Sequence, residues 1–134
     1  MNVFTYGSLM YERVWSRVVT GQYARQNGVV QGFRRLQVKN EHYPGLVKRK
    51  GRVEGVVYFA VSAADMARLD RFEGELYRRE VVEVTCGDGK RVPAAVYLIR
   101  DQFKNGLGGE WSPAQFEQHG LAEFEAKYVG FERM

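Results

Sequence analysis

The chain has 134 residues, of which 45% are hydrophobic and 27% charged, and it carries a net charge of +4. That is enough for one compact domain with a real core, expected to span residues 1–134. No apolar run approaches the roughly 20 residues of a spanning helix, and a single cysteine, Cys86, excludes an intrachain disulfide. The positive charge permits a nucleic-acid or membrane-surface partner but bears on association, not on fold. No basic segment followed by a long apolar one opens the chain, so the expected compartment is the cytoplasm.

Asn2 to Tyr6 reads as a strand that runs straight into Gly7-Ser8. Ser8 is predicted to cap a helix over Leu9 to Val19, where Met10, Val14 and Val18 recur every fourth residue, and Gly21 to end it. From Gln22 to Val38, short β-like runs are punctuated by Gly28 and Gly32. Tyr43-Pro44-Gly45 reads as a turn and Arg52 to Ala60 as a strand. Ser62 is predicted to cap a helix of about two turns with Met66 and Leu69 on one face. Leu76 to Thr85 and Arg91 to Ile99 read as a hairpin across Cys86-Gly87-Asp88-Gly89-Lys90. Asn105 to Gly109 reads as a glycine-rich loop. Ser112-Pro113-Ala114-Gln115 opens a last helix as a capping box, with Leu121, Phe124 and Tyr128 at helical spacing. Together these predict an α+β fold, a largely antiparallel sheet curled into a barrel with short helices outside it.

One residue breaks the pattern. Glu73, in Leu69-Asp70-Arg71-Phe72-Glu73-Gly74, puts a carboxylate where an apolar side chain is expected. Pressed against aromatic surface it would be desolvated and able to exchange protons near neutral pH; its ordinary reading is a solvated glutamate in a helix-terminal turn. Tyr6-Gly7-Ser8-Leu9 offers backbone N–H groups to a carboxylate or an oxyanion, or is simply a capped strand-to-helix turn. Ser8 lacks the second glycine of a nucleophile elbow. Cys86, His42 and His119 have neither a local signature of a thiol–imidazole pair nor metal-ligand spacing, and no metal site is expected. The basic clusters Arg34-Arg35 with Lys39 and Lys48-Arg49-Lys50 with Arg52 resemble solvated strand faces. Tyr77 and Tyr97 sit on strands, either as core or with a hydroxyl in a pocket.

Five segments taken in order resemble the γ-glutamylcyclotransferase-like superfamily, in its branch of AIG2-like and γ-glutamylamine cyclotransferase proteins. They are Val3 to Met10, Tyr43 to Leu46, Val53 to Tyr58, Leu69 to Gly74 with Tyr77-Arg78-Arg79, and Ala95 to Tyr97. The resemblance implies a small mixed β-barrel with flanking helices, and cyclisation of a γ-glutamyl group to 5-oxoproline with release of an amine. It implies Glu73 as catalytic acid/base, Tyr6, Gly7, Ser8 and Leu9 as the loop that binds the glutamyl moiety, and Tyr97 as a pocket residue. No cofactor, nucleic acid or membrane is implied, and the expected partner is a small γ-glutamyl substrate on a monomer or weak homodimer. The alternative is a non-catalytic module on the same fold that binds a small molecule or nucleic acid. Leu9 stands where an asparagine commonly follows Gly-Ser in the branch acting on free γ-glutamyl amino acids.

Overall fold

The computed structural model describes residues 1–129, with side chains through Lys127. Six strands form one sheet: β1 (Val3–Thr5), β2 (Arg25–Val38), β3 (Pro44–Tyr58), β4 (Tyr77–Cys86), β5 (Arg91–Ile99) and β6 (Leu107–Glu110). Their order is β3-β1-β5-β4-β2-β6, and β2 also pairs with β3, so five strands close into a barrel with β6 added outside it. The β1–β5 pairing is parallel and the others antiparallel. The barrel is therefore mixed and mainly antiparallel, as the sequence predicts.

Alternation along the strands divides the core in two. Phe4, Val57, Val84, Val96 and Leu98 belong to one buried cluster; their neighbours Val3, Tyr58, Ala95, Tyr97 and Ile99 belong to a second. The second cluster includes residues of α1 (Glu12–Val18), of α2 (Ala63–Glu73) and of the C-terminal helical segment. Trp15 of α1 stacks on Tyr58 with ring centroids 3.6 Å apart, which fixes that helix to β3.

Several local expectations need correction. Ser8 caps no helix: Ser8–Met10 is a single 3₁₀ turn, and α1 starts at Glu12 without a side-chain cap. α1 stops at Val18, with Val19 already extended, well before Gly21. Pro44-Gly45 is not a turn but the start of β3; the chain reverses over residues 39–43, where Asn40 takes a positive φ of 67°. The ambiguous stretch is one 14-residue strand, Arg25–Val38, with its register shift at Gly32. The expected loop Asn105 to Gly109 runs into β6 (Leu107–Glu110), which pairs with β2. The C-terminal segment is α-helical at α3 (Pro113–Gln115) and α4 (Leu121–Phe124), with wider π turns after each. Ser112 caps it as expected, accepting from the Gln115 N–H at 3.2 Å; the Tyr128 side chain lies outside the described residues.

Ser62 also caps as predicted, and α2 extends to three turns. In its first turn Asp65 is fully buried. Its carboxylate accepts from the N–H groups of Thr20 and Gly21 at 2.9 Å each, the Tyr23 hydroxyl at 2.5 Å, the Thr20 hydroxyl at 3.2 Å and Arg68 at 2.9 Å. Burial pushes this carboxyl up, but the Tyr23, Thr20 and Gly21 donors outweigh it and hold the group well below the usual carboxylate range. The group stabilises the fold fully above its unfolded value and loses that contribution as pH falls. Asp65→Asn is expected to cost roughly 3 kcal/mol in urea unfolding at pH 7, with the gap to the parent narrowing below about pH 4. An unchanged midpoint at pH 7 would contradict this.

Candidate active site

Met66, Leu69 and Glu73 stand at i, i+3 and i+7 on α2, the spacing of one helical face. Met66 and Leu69 are buried in the core, so Glu73 ends an apolar stripe with a carboxylate. Gly74 then ends the helix at a φ of 73°, with its N–H bonded to the Asp70 carbonyl, a geometry that costs glycine nothing.

Glu73 faces a cavity of about 110 Å³ whose wall includes Tyr6, Gly7, Ser8, Leu9 and Tyr97. All six sequence-predicted site residues are thus brought to one concavity. Its other walls are Phe4, Thr5, Tyr43, Pro44, Phe72, Leu76, Tyr77 and Phe124. Desolvation in this mainly apolar surround, and then the neighbouring charge of Asp70, push the Glu73 carboxyl up to about 8.

The tyrosine hydroxyls are committed elsewhere. Tyr6 donates to the Tyr97 carbonyl at 2.5 Å, Tyr77 to the Pro44 carbonyl at 2.6 Å and Tyr97 to Asp70 Oδ1 at 2.7 Å. Burial raises all three phenols, with Glu73 adding to each, so they stay neutral donors. Tyr6 therefore serves as a wall and a strut rather than a free hydroxyl.

The loop after β1 is held from behind. Arg35 of β2, half-buried, donates to the carbonyls of Tyr6 at 2.9 Å and Glu54 at 3.1 Å and lies over the Trp111 ring. In a planar trans peptide the N–H points opposite the C=O, so the bond to Tyr6 turns the Gly7 N–H away from Arg35. Among the described residues no acceptor meets the N–H groups of Gly7, Ser8 or Leu9, while the Gly7 and Ser8 carbonyls accept from Met10 and Tyr11. Three donors are thus left beside the cavity without a long helix dipole behind them. Gly7 is required for a reason unrelated to ligand access: a Cβ there would lie 2.8 and 2.9 Å from the Pro44 ring.

Sequence reading assigns none of Asp70, Tyr43, Pro44, Phe72 and Phe124 to the site, and assigns Arg35 to a solvated face. Of the other residues in those basic clusters, Lys48 meets Glu80, Arg52 meets Glu54 and Arg34 meets Glu110 at the surface. Cys86 is buried in the other core cluster, and His42 pairs with Glu123 at 2.7 Å. Among the described residues no three His, Cys, Asp or Glu side chains gather as metal ligands.

Comparison with known proteins places the chain in a family. The description "Gamma-glutamyl cyclotransferase, AIG2-like" matches residues 3–113. The chain belongs to that AIG2-like family. It is 30% identical to Protein AIG2 C of Arabidopsis thaliana over 135 residues, covering 99% of this chain and 80% of the relative. A crystal structure of an AIG2-like protein from Mus musculus is 26% identical, covers 90% of this chain and 92% of its own, and has a TM-score of 0.66. A structure named Gamma-glutamyl cyclotransferase shares the fold at 20% identity and a TM-score of 0.65, covering 100% and 89% of the two chains.

The raised Glu73 acid has a stability signature. A folded value of about 8 against an ordinary 4.5 means that the fold favours the neutral acid. That stabilisation is full below the ordinary value and is lost as pH rises through about 8. Glu73→Gln, neutral at every pH, is expected to be more stable than the parent at pH 9 by on the order of 2 kcal/mol, a value discounted for partial exposure. Urea midpoints at pH 5 and 9 check this; the same difference at both pH values would contradict it.

Proposed function

We propose that this member of the AIG2-like family is a γ-glutamyl cyclotransferase, converting a γ-glutamyl amide to 5-oxoproline and a free amine. The observation that carries the reading is the convergence of a proton-holding carboxyl, Glu73, and unpartnered loop amides, Gly7 to Leu9, on one cavity. The solved structure named Gamma-glutamyl cyclotransferase, of the same fold, supports it.

The reaction suits such a sparse site. The nucleophile is the substrate's own α-amine, tethered to its target, so the protein's task is to hold the chain folded with amine and γ-carbonyl in contact. Glu73 as carboxylate takes a proton from the α-ammonium. The amine nitrogen bonds to the γ-carbon, and the carbonyl electrons move onto oxygen. As that tetrahedral centre collapses, the bond to the leaving nitrogen breaks and Glu73 gives its proton to that nitrogen; Glu73, a carboxylate again, then takes the second proton from the ring nitrogen, which leaves the neutral lactam, and passes it to the departing amine. One group serves as base and then acid because its affinity for a proton sits near neutrality. The amides of Gly7, Ser8 and Leu9 hold either the α-carboxylate or the oxyanion. Phe72, Tyr43, Leu76 and Phe124 give the cavity an apolar wall.

The test is a panel of γ-glutamyl alkylamines, γ-glutamyl dipeptides and glutathione, assayed for 5-oxoproline. Release is expected from at least one class, with Glu73→Gln lowering kcat roughly 100-fold or more, since an amide cannot shuttle the proton. Near-parental turnover in that variant would refute the assignment.

A further inference from the structure

Asp70 lies one helical turn before Glu73 on α2, yet it is not among the residues that line the cavity. Its Oδ1 accepts from the Tyr97 hydroxyl at 2.7 Å and faces Arg79 of β4 at 3.5 Å. A tyrosine has one O–H to give, and an ionised carboxylate is an acceptor only. With its proton directed at Asp70, the Tyr97 oxygen retains only lone pairs for anything in the cavity it lines.

We propose that Asp70 is a positioning residue: it fixes the Tyr97 hydroxyl as an acceptor toward the cavity and sets a standing negative charge beside Glu73. Both effects favour a cationic group in the cavity, and the α-ammonium of a glutamyl substrate is the group that must enter. The inference rests on the γ-glutamyl reading above for that substrate, but not for the effect of Asp70 on Glu73.

Among the described residues the ionisable groups around Glu73 are few, Tyr43 of the cavity wall among them. Asp70 is on its own helix, and Tyr6, Tyr77 and Tyr97 face it from the end of β1 and from β4 and β5. Arg79 touches Asp70, and Arg35 lies behind Tyr6. The Arg79–Asp70 side chains are 36% and 45% exposed, so solvent screens that pair and leaves the Asp70 charge only partly cancelled. The hydrogen bond to Tyr97 is the shorter and more enclosed contact, and it couples α2 to β5 across the cavity wall.

Two measurements decide the matter. With ¹³C-labelled glutamate, the Glu73 carboxyl is followed by NMR from pH 5 to 10 and identified by its loss in Glu73→Gln. Asp70→Asn keeps an acceptor for Tyr97 but removes the charge, so the Glu73 midpoint is expected to fall by about half a pH unit or more. An unmoved midpoint overturns the proposal. In parallel, kcat/KM for 5-oxoproline release is measured in Tyr97→Phe, Asp70→Ala and the double variant. Each single change is expected to lower it about tenfold and the double to lower it by clearly less than the product of the two, because both break the Tyr97–Asp70 hydrogen bond while only Asp70→Ala also removes the charge. Losses that multiply overturn the hydroxyl-fixing role. If the parent protein releases no 5-oxoproline from any γ-glutamyl compound, the proposed function fails, and the NMR titration still decides whether Asp70 acts on Glu73.

Discussion

A carboxylate at the end of a buried apolar stripe costs the fold stability whenever it is ionised. Glu73 occupies the i+7 position of the face that Met66 and Leu69 bury. A methionine or leucine there would close the cavity with apolar contact. The glutamate instead leaves a carboxyl whose neutral form is favoured up to about pH 8. Asp65, two turns earlier on the same helix, shows the opposite arrangement: fully buried but met by several donors, it stays ionised and anchors the chain between α1 and β2. The difference between the two carboxylates lies in the donors supplied to each, and only the one deprived of donors lines the cavity.

Barrel closure supplies the other half of the site. The parallel β1–β5 pairing sets Tyr6 beside Tyr97, and the β3 start at Pro44 presses on Gly7 from across the barrel mouth. Three tyrosine hydroxyls are spent on internal acceptors and Arg35 on two carbonyls, so the walls are fixed before any ligand arrives. Such preorganisation is what electrostatic stabilisation of a reaction requires. The loop amides do not owe their availability to a long helix. They belong to a single 3₁₀ turn, Ser8–Met10, and its N-cap Gly7, and the direction of each N–H is set by where the carbonyl of the same peptide is held.

Much of this was legible in the sequence, for identifiable reasons. The Ser62 and Ser112 caps, the β4–β5 hairpin and the misplaced carboxylate are local signals, written in adjacent residues and read by local rules. Glu73 and Tyr6 to Leu9 stand out by their residues and Tyr97 through the family resemblance, and they share one cavity. What failed was long-range. Pro44-Gly45 looks like a turn, but its place is fixed by pairing with Gln37 and Leu36. Leu107–Glu110 becomes a strand only because β2 offers it an edge. Arg35 reads as surface charge until Trp111 and the Tyr6 carbonyl, distant in sequence, enclose it. Asp70 was in view as a neighbour of Glu73, but its bond to Tyr97 spans 27 residues and leaves no local trace.

The most direct test is a crystal structure of Glu73→Gln bound to a γ-glutamyl alkylamide. The account expects the glutamyl group in the cavity between α2 and the loop after β1. The side chain at position 73 should lie within hydrogen-bond reach of the α-amino nitrogen or the leaving nitrogen, and at least one N–H of Gly7, Ser8 or Leu9 should meet a substrate oxygen. A ligand bound outside that cavity, or seated in it with position 73 turned away from both nitrogens, would contradict the account.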